Sequence, residues 1–309
     1  MRGSGRATLV AVAVVCLVVT LLGGTSAVAK QGKRLDPRLT QPGYADTHSS
    51  AAVRGGPYAS LGSVPQALWL GAAPVRTVRG QLRAYVRRAA ARHRTPQVVL
   101  YAIPDRDCSG GGWASPRAYL RWVRAIASVL RGRHAIAVVE PDALAMEDRC
   151  GGAARLATLR AATRILAASR TWVYLDAGHS NWLTAETAAA RLRQAGISYV
   201  RGFSLNVANF RPTPEAQAYG DAVAAALGAQ GIPGKHFVID TSRNGAAPLD
   251  TQWCNPPWAR VGQRPAMLRT GSLDGLLWLK HPGESDGPCN GGPASGWSDL
   301  LAGRLLGRA

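Results

Sequence analysis

Short apolar runs alternate with longer amphipathic segments along most of the chain. Each run spans four to eight residues between polar or turn-forming positions, a pattern typical of buried β-strands. Seven runs are predicted to be strands: "ALWL" (67–70), "QVVLYAI" (97–103), "AIAVVE" (135–140), "TWVYLDA" (171–177), "YVRGFSLN" (199–206), "HFVID" (236–240) and "GLLWLK" (275–280).

The amphipathic segments between most of these strands are predicted to be helices. They are Val75–Arg94, Pro116–Arg131, Ala153–Ser169, Thr184–Ala195 and Pro214–Gln230. Strands that alternate with helices form βα units, in which the strands run parallel and the helices cover the sheet. The pattern therefore predicts an α/β fold built on a closed or nearly closed barrel, with an open doubly wound sheet as the alternative.

Polar side chains repeatedly follow the apolar runs. They are Tyr101 and Asp107, Glu140 and Asp142, Asp176 and His179, Asn206, Asp240, and Lys280 with Glu284 and Asp286. In a parallel barrel the chemistry lies at the carboxyl ends of the strands, where several loops converge. An open sheet would gather such groups mainly at one switch point, so the repetition favours the barrel.

The first 29 residues have the layout of a secretory signal peptide. Arg2 and Arg6 precede an apolar stretch, and small residues end at Ala29, where we expect cleavage. Residues 30–57 are polar and without period, which predicts a flexible, loosely attached leader. Residues 58–309 are predicted to form one catalytic domain, and the protein is expected to be extracellular, free of the membrane after cleavage, and a monomer.

Four cysteines remain after the signal peptide: Cys108, Cys150, Cys254 and Cys289. An even number in an exported chain predicts two disulfides. The competing interpretation is zinc, but no Cys-x-x-Cys or paired Cys/His spacing supports it. We therefore expect no metal.

The charge balance is strongly basic, with 37 lysines and arginines against 18 aspartates and glutamates. A partner such as nucleic acid or an anionic wall polymer is one interpretation. The arginines are spread over helix-like segments without interleaved aromatic residues, so we favour solvated helix faces and expect no nucleic-acid partner.

Several reaction classes lack their motifs. "LDAGHS" (175–180) holds Ser, His and Asp too close together for a nucleophile relay, and no Gly-x-Ser-x-Gly elbow occurs. No phosphate-binding glycine motif follows a strand, so no cofactor is expected. What remains is a ring of carboxylates near tryptophans. One protonated carboxyl group and a route to deprotonate water are what glycosidic hydrolysis requires.

Six motifs resemble glycoside hydrolase family 6, the inverting cellulases, in order and rough spacing from about Val64 to the C-terminus. They are "YAIPDRDC", "VVEPDALA", "YLDAGHSNW", "IDTSRNG", "WCNP" and "LWLKHPGESDG". The resemblance implies a distorted, TIM-like (β/α) barrel with seven strands. It also implies a β-1,4-glucan substrate and disulfides Cys108–Cys150 and Cys254–Cys289.

The resemblance assigns roles to individual residues. Asp142 would be the general acid, Asp107 would raise its proton affinity, and Tyr101 would pack against the distorted sugar. Asp286 occupies the position proposed for the base, acting directly or through a chain of waters. The residues implied to bind sugar are Asp176, His179, Asn206, Lys280 and Glu284, with Trp69, Trp182, Trp253 and Trp278 as candidate stacking platforms or core residues.

Two departures from the family pattern bear on the mode of cleavage. The lid expected at Ser109–Gly112 is short, and Cys289 follows Asp286 by three residues, which leaves no room for a tunnel-forming loop. We therefore predict an open cleft and a secreted endo-β-1,4-glucanase. The alternatives are a cellobiohydrolase and a catalytically silent glucan- or wall-binding protein. Asp240 is interpreted as the cap of the turn that contains Ser242.

Overall fold

The computed structural model describes residues 1–3, 36–269 and 271–308. Apart from its first three residues, the predicted signal peptide lies outside the described residues. Residues 36–308 belong to one compact unit. No helix within the described ranges combines the length and apolar character that a membrane span requires.

In the part of the chain that the structure describes, eight strands form one sheet at the centre of the fold. Its strands are β1 (Leu68–Leu70), β2 (Gln97–Leu100), β3 (Ile136–Val139), β4 (Trp172–Asp176), β5 (Gly202–Leu205), β6 (His236–Asp240), β7 (Ala266–Met267) and β8 (Leu273–Leu277). The spatial order is β1-β2-β3-β4-β5-β6-β8-β7, and every pair is parallel except β7 with β8. The seven parallel strands confirm the seven predicted ones, whereas the two-residue β7 was not predicted.

The two ends of the parallel array meet at the start of β1. The Ala67 N–H donates to the Trp278 carbonyl at 3.1 Å, and Trp69 Nε1–H donates to the Leu279 carbonyl at 2.7 Å. These bonds bring β1 beside the chain that leaves β8, although the strand ladder itself does not close. The α/β prediction of a distorted barrel is confirmed.

Alternate residues of each strand face opposite layers, as the two-residue period of a strand requires. One set fills the barrel interior: Val99, Ile136, Val138, Tyr174 and Val238. The other set packs against the surrounding helices: Val98, Leu100, Ala137, Val139, Val173 and Phe237. Burial on both faces explains why the strands are almost continuously apolar.

Eight α-helices accompany the sheet within the described residues. They are α1 (Ser50–Arg54), α2 (Ala59–Gly62), α3 (Val75–Ala91), α4 (Pro116–Leu130), α5 (Gly152–Ala167), α6 (Ala185–Gln194), α7 (Thr213–Ala229) and α8 (Asp299–Leu305). Short 3-10 helices occur at Pro37–Leu39, Gly56–Tyr58 and Ile197–Tyr199. Local signals fix their starts: the Ser115 side chain accepts the Ala118 N–H at the start of α4, where Pro116 suits the first helical position. The five predicted helices correspond to α3 through α7.

The segment before residue 58 differs from the expected loose leader over its described part. Tyr44 is buried in the main core, and its N–H donates to the Thr95 carbonyl at 2.9 Å. Asp36 forms an ion pair with Arg201, and Ser50 Oγ donates to Glu284 at 2.6 Å. Residues 36–57 are therefore packed against the barrel, because a few buried or ion-paired side chains fix a segment whose composition is polar.

Candidate active site

Three buried carboxylates connect neighbouring strand ends at the carboxyl edge of the barrel. Glu140, just after β3, accepts the backbone N–H groups of Ala102 and Ile103 after β2, at 2.9–3.1 Å. Asp176, the last residue of β4, accepts the Asp142 N–H at 2.9 Å. Backbone donors that would otherwise be unpaired at the strand ends are satisfied in this way.

Asp240, the last residue of β6, makes the same kind of connection. Its carboxylate accepts the N–H groups of Ala208, Ser242, Leu279 and Lys280 at 2.9–3.2 Å. The predicted capping of the Ser242 turn is confirmed, and the contact extends to the chain after β8. The three carboxylates thus set the backbone positions from which Tyr101, Asp142 and Lys280 project.

Asp142 is a partly exposed residue whose carboxyl Oδ1 is buried. Among the described residues this oxygen has no hydrogen-bond partner. Burial raises the pKa of Asp142 well above its usual range, and the negative charges of Asp176, Asp107 and Asp286 raise it further. The backbone adopts φ = 69°, a left-handed conformation that is uncommon for aspartate and characteristic of strained functional positions. The site therefore favours a protonated Asp142.

Asp107 lies beside Tyr101 in the loop after β2. The Tyr101 hydroxyl donates to Asp107 Oδ1 at 2.5 Å, and Arg106 Nε pairs with Asp107 Oδ2 at 3.1 Å. The Arg106 guanidinium also lies 4.4 Å from the centre of the Tyr101 ring. Burial and the bond to Asp107 raise the pKa of Tyr101 well above its usual value. Asp107 is thus held in place by a neutral phenol and a cation.

The disulfide Cys108–Cys150 confirms the implied pairing, with 5.7 Å between Cα atoms. It joins the loop after β2 to the loop after β3, next to Asp107. Arg155, which is 4% exposed, supports this turn because its guanidinium donates to the Asp105 carbonyl at 2.8 Å. The loop that carries Asp107 is consequently anchored on both sides.

Asp286 has a different environment. It pairs with Arg243 at 2.6 Å and with Lys280 at 3.0 Å, and it accepts the Asn255 N–H at 3.1 Å. Burial opposes ionisation of Asp286, but the two cations outweigh it and the pKa lies below the usual value. The neighbouring cations Arg243 and Lys280 therefore keep Asp286 in its ionised form.

The disulfide Cys254–Cys289 also confirms the implied pairing, with 6.1 Å between Cα atoms. It holds two loops that exchange hydrogen bonds at Asn255 and Asp286: the Asp286 N–H donates to Asn255 Oδ1 at 2.9 Å. The Asn255 amide also donates to the Gly287 carbonyl at 2.9 Å. Asp107 and Asp286 therefore each lie in a loop that one disulfide holds in place.

His179 and Trp182 lie together in the loop after β4, with ring centres 5.3 Å apart. Burial lowers the pKa of His179 to about 4, and the nearby Arg211 contributes, so the imidazole is neutral over the usual working range. Nδ1 of this neutral ring accepts the Asn181 N–H at 3.3 Å, so Nε2–H is the group that can donate to a sugar hydroxyl.

Two other predicted sugar-binding residues make extensive internal contacts. The Asn206 amide donates to the Asp240 and Arg211 carbonyls and accepts the Arg211 N–H. Glu284 accepts from Ser50 and pairs with His281 at 2.9 Å; burial opposes its ionisation, yet these partners lower its pKa to about 2. Both residues hold the walls of the site through these bonds.

The tryptophans fall into different environments. Trp69 is half-buried and meets Tyr101 edge to face, with ring centres 5.2 Å apart. Trp253 is 67% exposed, as a stacking platform would be, whereas Trp278 is 2% exposed and packs with Leu61 and Val64. Trp278 is therefore a core residue, one of the two roles considered for it.

Known proteins match this chain over most of its length. The model of "Glycosyl hydrolases family 6" matches residues 41–298. The chain belongs to this family. The resemblance drawn from the six motifs is thereby confirmed, and the described site occupies the carboxyl end of a family 6 barrel.

Three individual family 6 relatives extend the comparison. Endoglucanase A of Cellulomonas fimi is 41% identical over 276 residues, which cover 87% of this chain and 60% of that protein. Endoglucanase 1 of Streptomyces halstedii is 40% identical over 87% of this chain and 89% of its own length. The endoglucanase Cel6 of Mycobacterium tuberculosis, solved with a thio-linked cellobioside, superposes with a TM-score of 0.82 at 40% identity, covering 88% of this chain and 99% of that one.

Sequence reasoning missed several residues that complete this family 6 site. Arg243 follows Ser242 in the turn after β6, and the sequence has no local signal for its pairing with Asp286, 43 positions away. Ser204, which donates to Asp176 at 3.1 Å, lies inside an apolar strand. Within residues 36–269 and 271–308, no three His, Cys, Asp or Glu side chains lie close enough to hold a metal ion.

Proposed function

We propose that the protein is a secreted endo-β-1,4-glucanase that hydrolyses internal bonds of cellulose-like glucans with inversion. The observation that carries the proposal is the contrast between two carboxyl groups of one site. Asp142 has a raised pKa and is protonated, whereas Asp286 has a lowered pKa and is ionised. Inverting hydrolysis needs one group in each state.

In this mechanism Asp142 donates its proton to the glycosidic oxygen as the bond to the sugar carbon breaks. The departing chain leaves as an alcohol, and positive charge develops on the ring carbon and ring oxygen. The Asp107 carboxylate, held by Tyr101 and Arg106, is positioned to stabilise that charge. Its own negative charge also favours the protonated form of Asp142 before the reaction.

A water molecule attacks the ring carbon from the face opposite the departing oxygen and loses a proton toward Asp286. Arg243 and Lys280 keep Asp286 ionised, so it can accept that proton directly or through intervening water. Because these cations also weaken the basicity of Asp286, we expect it to take the proton only as the attacking water bonds to the ring carbon and becomes strongly acidic. His179, Trp182 and Trp69 are proposed to contact the sugars.

The remaining parts of the proposal concern the setting. Two disulfides in the described chain suit an oxidising, extracellular location. The two residues between Asp286 and Cys289 leave no room for a roof over the site, which favours cleavage within a chain. The relatives named above are endoglucanases, and we propose the same activity here, for a monomer that needs no cofactor.

The test is digestion of cello-oligosaccharides, followed by NMR of the fresh products, together with viscometry of hydroxyethylcellulose. We expect the α-anomer to form first and viscosity to fall well before much reducing sugar appears. Initial release of the β-anomer would contradict inversion, and slow viscosity loss with cellobiose release would indicate a cellobiohydrolase. Oligosaccharide binding without any product would identify a catalytically silent binding protein.

A further inference from the structure

A second surface lies away from the catalytic edge and has an extreme charge composition. The stretches 75–94 and 116–134 contain 12 arginines and no aspartate or glutamate, although the chain has 18 acidic residues. Ten of the 12 arginines are exposed: Arg76, Arg83, Arg87, Arg92, Arg94, Arg117, Arg121, Arg124, Arg131 and Arg133. We call this surface the arginine face.

The fold brings these arginines together. Helices α3 and α4 pack side by side, and each carries an exposed arginine stripe at helical spacing, such as Arg117, Arg121 and Arg124. Each stripe runs into the loop that enters the next strand. Because Gln97 of β2 pairs with Ile136 of β3, these two loops enter the sheet beside each other.

A groove of about 740 Å³ lies where the two loops meet. His93, Arg94, Arg133 and His134 line it, together with Thr40 and Gln41, and no carboxylate is part of its wall. In the described chain, the arginines of α3, α4 and their loops form a single ion pair, between Arg88 and Asp46. The positive charge of the face is therefore not neutralised within the protein.

We propose that the arginine face binds an acidic polysaccharide, with one extended, carboxylate-bearing chain lying in the groove. Arginine suits this ligand because its planar guanidinium forms paired hydrogen bonds with a carboxylate. Like charges held on adjacent loops repel one another, and an anionic polymer that spans them relieves the repulsion. The groove is at the amino ends of β2 and β3, so the catalytic edge stays free.

Two other polyanions fit this surface less well. A single-stranded nucleic acid needs aromatic platforms for its bases, but Tyr85, Tyr119 and Trp122 of these helices are all buried. A membrane surface is bound through several inserted apolar side chains as well as charge; among the described residues, Leu39 alone of the exposed large hydrophobic side chains lines the groove, and none lies on α3 or α4.

The test is binding of the full chain to labelled polygalacturonate, measured by fluorescence anisotropy from low to high salt. We expect binding that weakens steeply as salt rises. The variant Arg87→Glu/Arg94→Glu/Arg131→Glu should bind at least about tenfold more weakly, because each reversal replaces attraction by repulsion. The triple glutamine variant at the same positions removes the charges without reversing them, so it should disturb folding less and show an intermediate loss of binding.

The matched control is Arg193→Glu/Arg264→Glu/Arg269→Glu, which changes the net charge equally at exposed arginines elsewhere. It should bind polygalacturonate within about threefold of the parent, since electrostatic attraction is local at moderate salt. An equal loss in this control, or no binding by the parent chain, would overturn the proposal. So would tighter binding of a DNA oligonucleotide or an anionic vesicle that the face variant abolishes.

The parent chain, the glutamate and glutamine variants of the arginine face, and the control variant should all retain hydrolysis of hydroxyethylcellulose. This polymer is neutral and does not report on the arginine face. Failure of this activity would refute the proposed glucanase function and leave the binding result intact. Loss of binding with full activity would assign the arginine face a role separate from catalysis.

Discussion

Asp142 and Asp286 lie at the same edge of the barrel, yet their environments push their pKa values in opposite directions. Asp142 faces three other carboxylates, and its Oδ1 is buried without a partner among the described residues. The Asp286 side chain is also largely buried, but it contacts two cations and a backbone N–H. Burial raises the pKa of both, so the neighbouring charges decide the outcome.

The comparison shows how one site can hold an acid and an ionised carboxylate near neutral pH. The difference is built by residues far apart in sequence, because Arg243 and Lys280 come from the ends of β6 and β8 while Asp107 and Asp176 come from other strands. The barrel brings these residues into contact because the loops that carry them meet at its carboxyl edge. Substitutions that remove the proton donor, a cation or a supporting disulfide therefore each test a different cause of the difference between Asp142 and Asp286.

The largest effect is expected from removing the proton donor. Asp142→Asn should lower kcat on hydroxyethylcellulose by about 10²–10⁴-fold, because general acid catalysis contributes that much. The backbone N–H bond to Asp176 is unaffected, so thermal stability should not fall. Asp221→Asn, an exposed helical aspartate, is the matched control and should be fully active. An Asp142→Asn variant with near-normal rates would remove Asp142 from the mechanism.

A smaller effect is expected from weakening the cationic side. Lys280→Met removes one of the two cations beside Asp286, so the Asp286 pKa should rise. Because activity needs the ionised form, the acidic limb of the kcat–pH profile should move to higher pH. At alkaline pH the Asp286 group is ionised in both proteins, so kcat should be least affected there.

Lys280→Arg keeps the charge and should leave the acidic limb near its original position, even if sugar binding changes KM. An unmoved limb in Lys280→Met would mean that Asp286 does not control the acidic side of the profile. A limb that moves to lower pH would contradict the charge argument itself.

The pattern of apolar and polar residues is sufficient to predict the barrel but not the ion pairs and pKa shifts of its site. The seven parallel strands follow from apolar runs such as 136–139, where burial on both faces removes the need for alternation. Strand β7 has only two residues, too few for any periodic signal. Residues 36–57 were misjudged as loose because Tyr44 and Asp36 are isolated among polar neighbours.

The predicted site residues remain predictions as to their roles, but the structure shows why some were easier to place than others. Asp142 and Asp176 follow strands directly, so their meeting at one edge follows from topology alone. The pairing of Asp286 with Arg243 depends on two irregular loops closed by Cys254–Cys289. Loop geometry of this kind has no period, and only the family resemblance indicated which cysteines pair.

The smallest activity effect is expected from opening the two disulfides in turn. Cys254→Ser/Cys289→Ser and Cys108→Ser/Cys150→Ser release loops of similar length, with separations of 35 and 42 residues, so each should cost about 2–4 kcal/mol of unfolding free energy.

The pH profiles of the two disulfide variants should differ. The first pair supports the Asn255 N–H that stabilises the Asp286 carboxylate, so its loss should move the acidic limb slightly upward, less than in Lys280→Met. The second pair supports Asp107, whose charge helps keep Asp142 protonated, so its loss should instead move the alkaline limb slightly downward. Identical profiles for the two variants, at equal loss of stability, would show that the loops contribute to folding alone and that the contrast between the two carboxyl groups is set by the barrel strands.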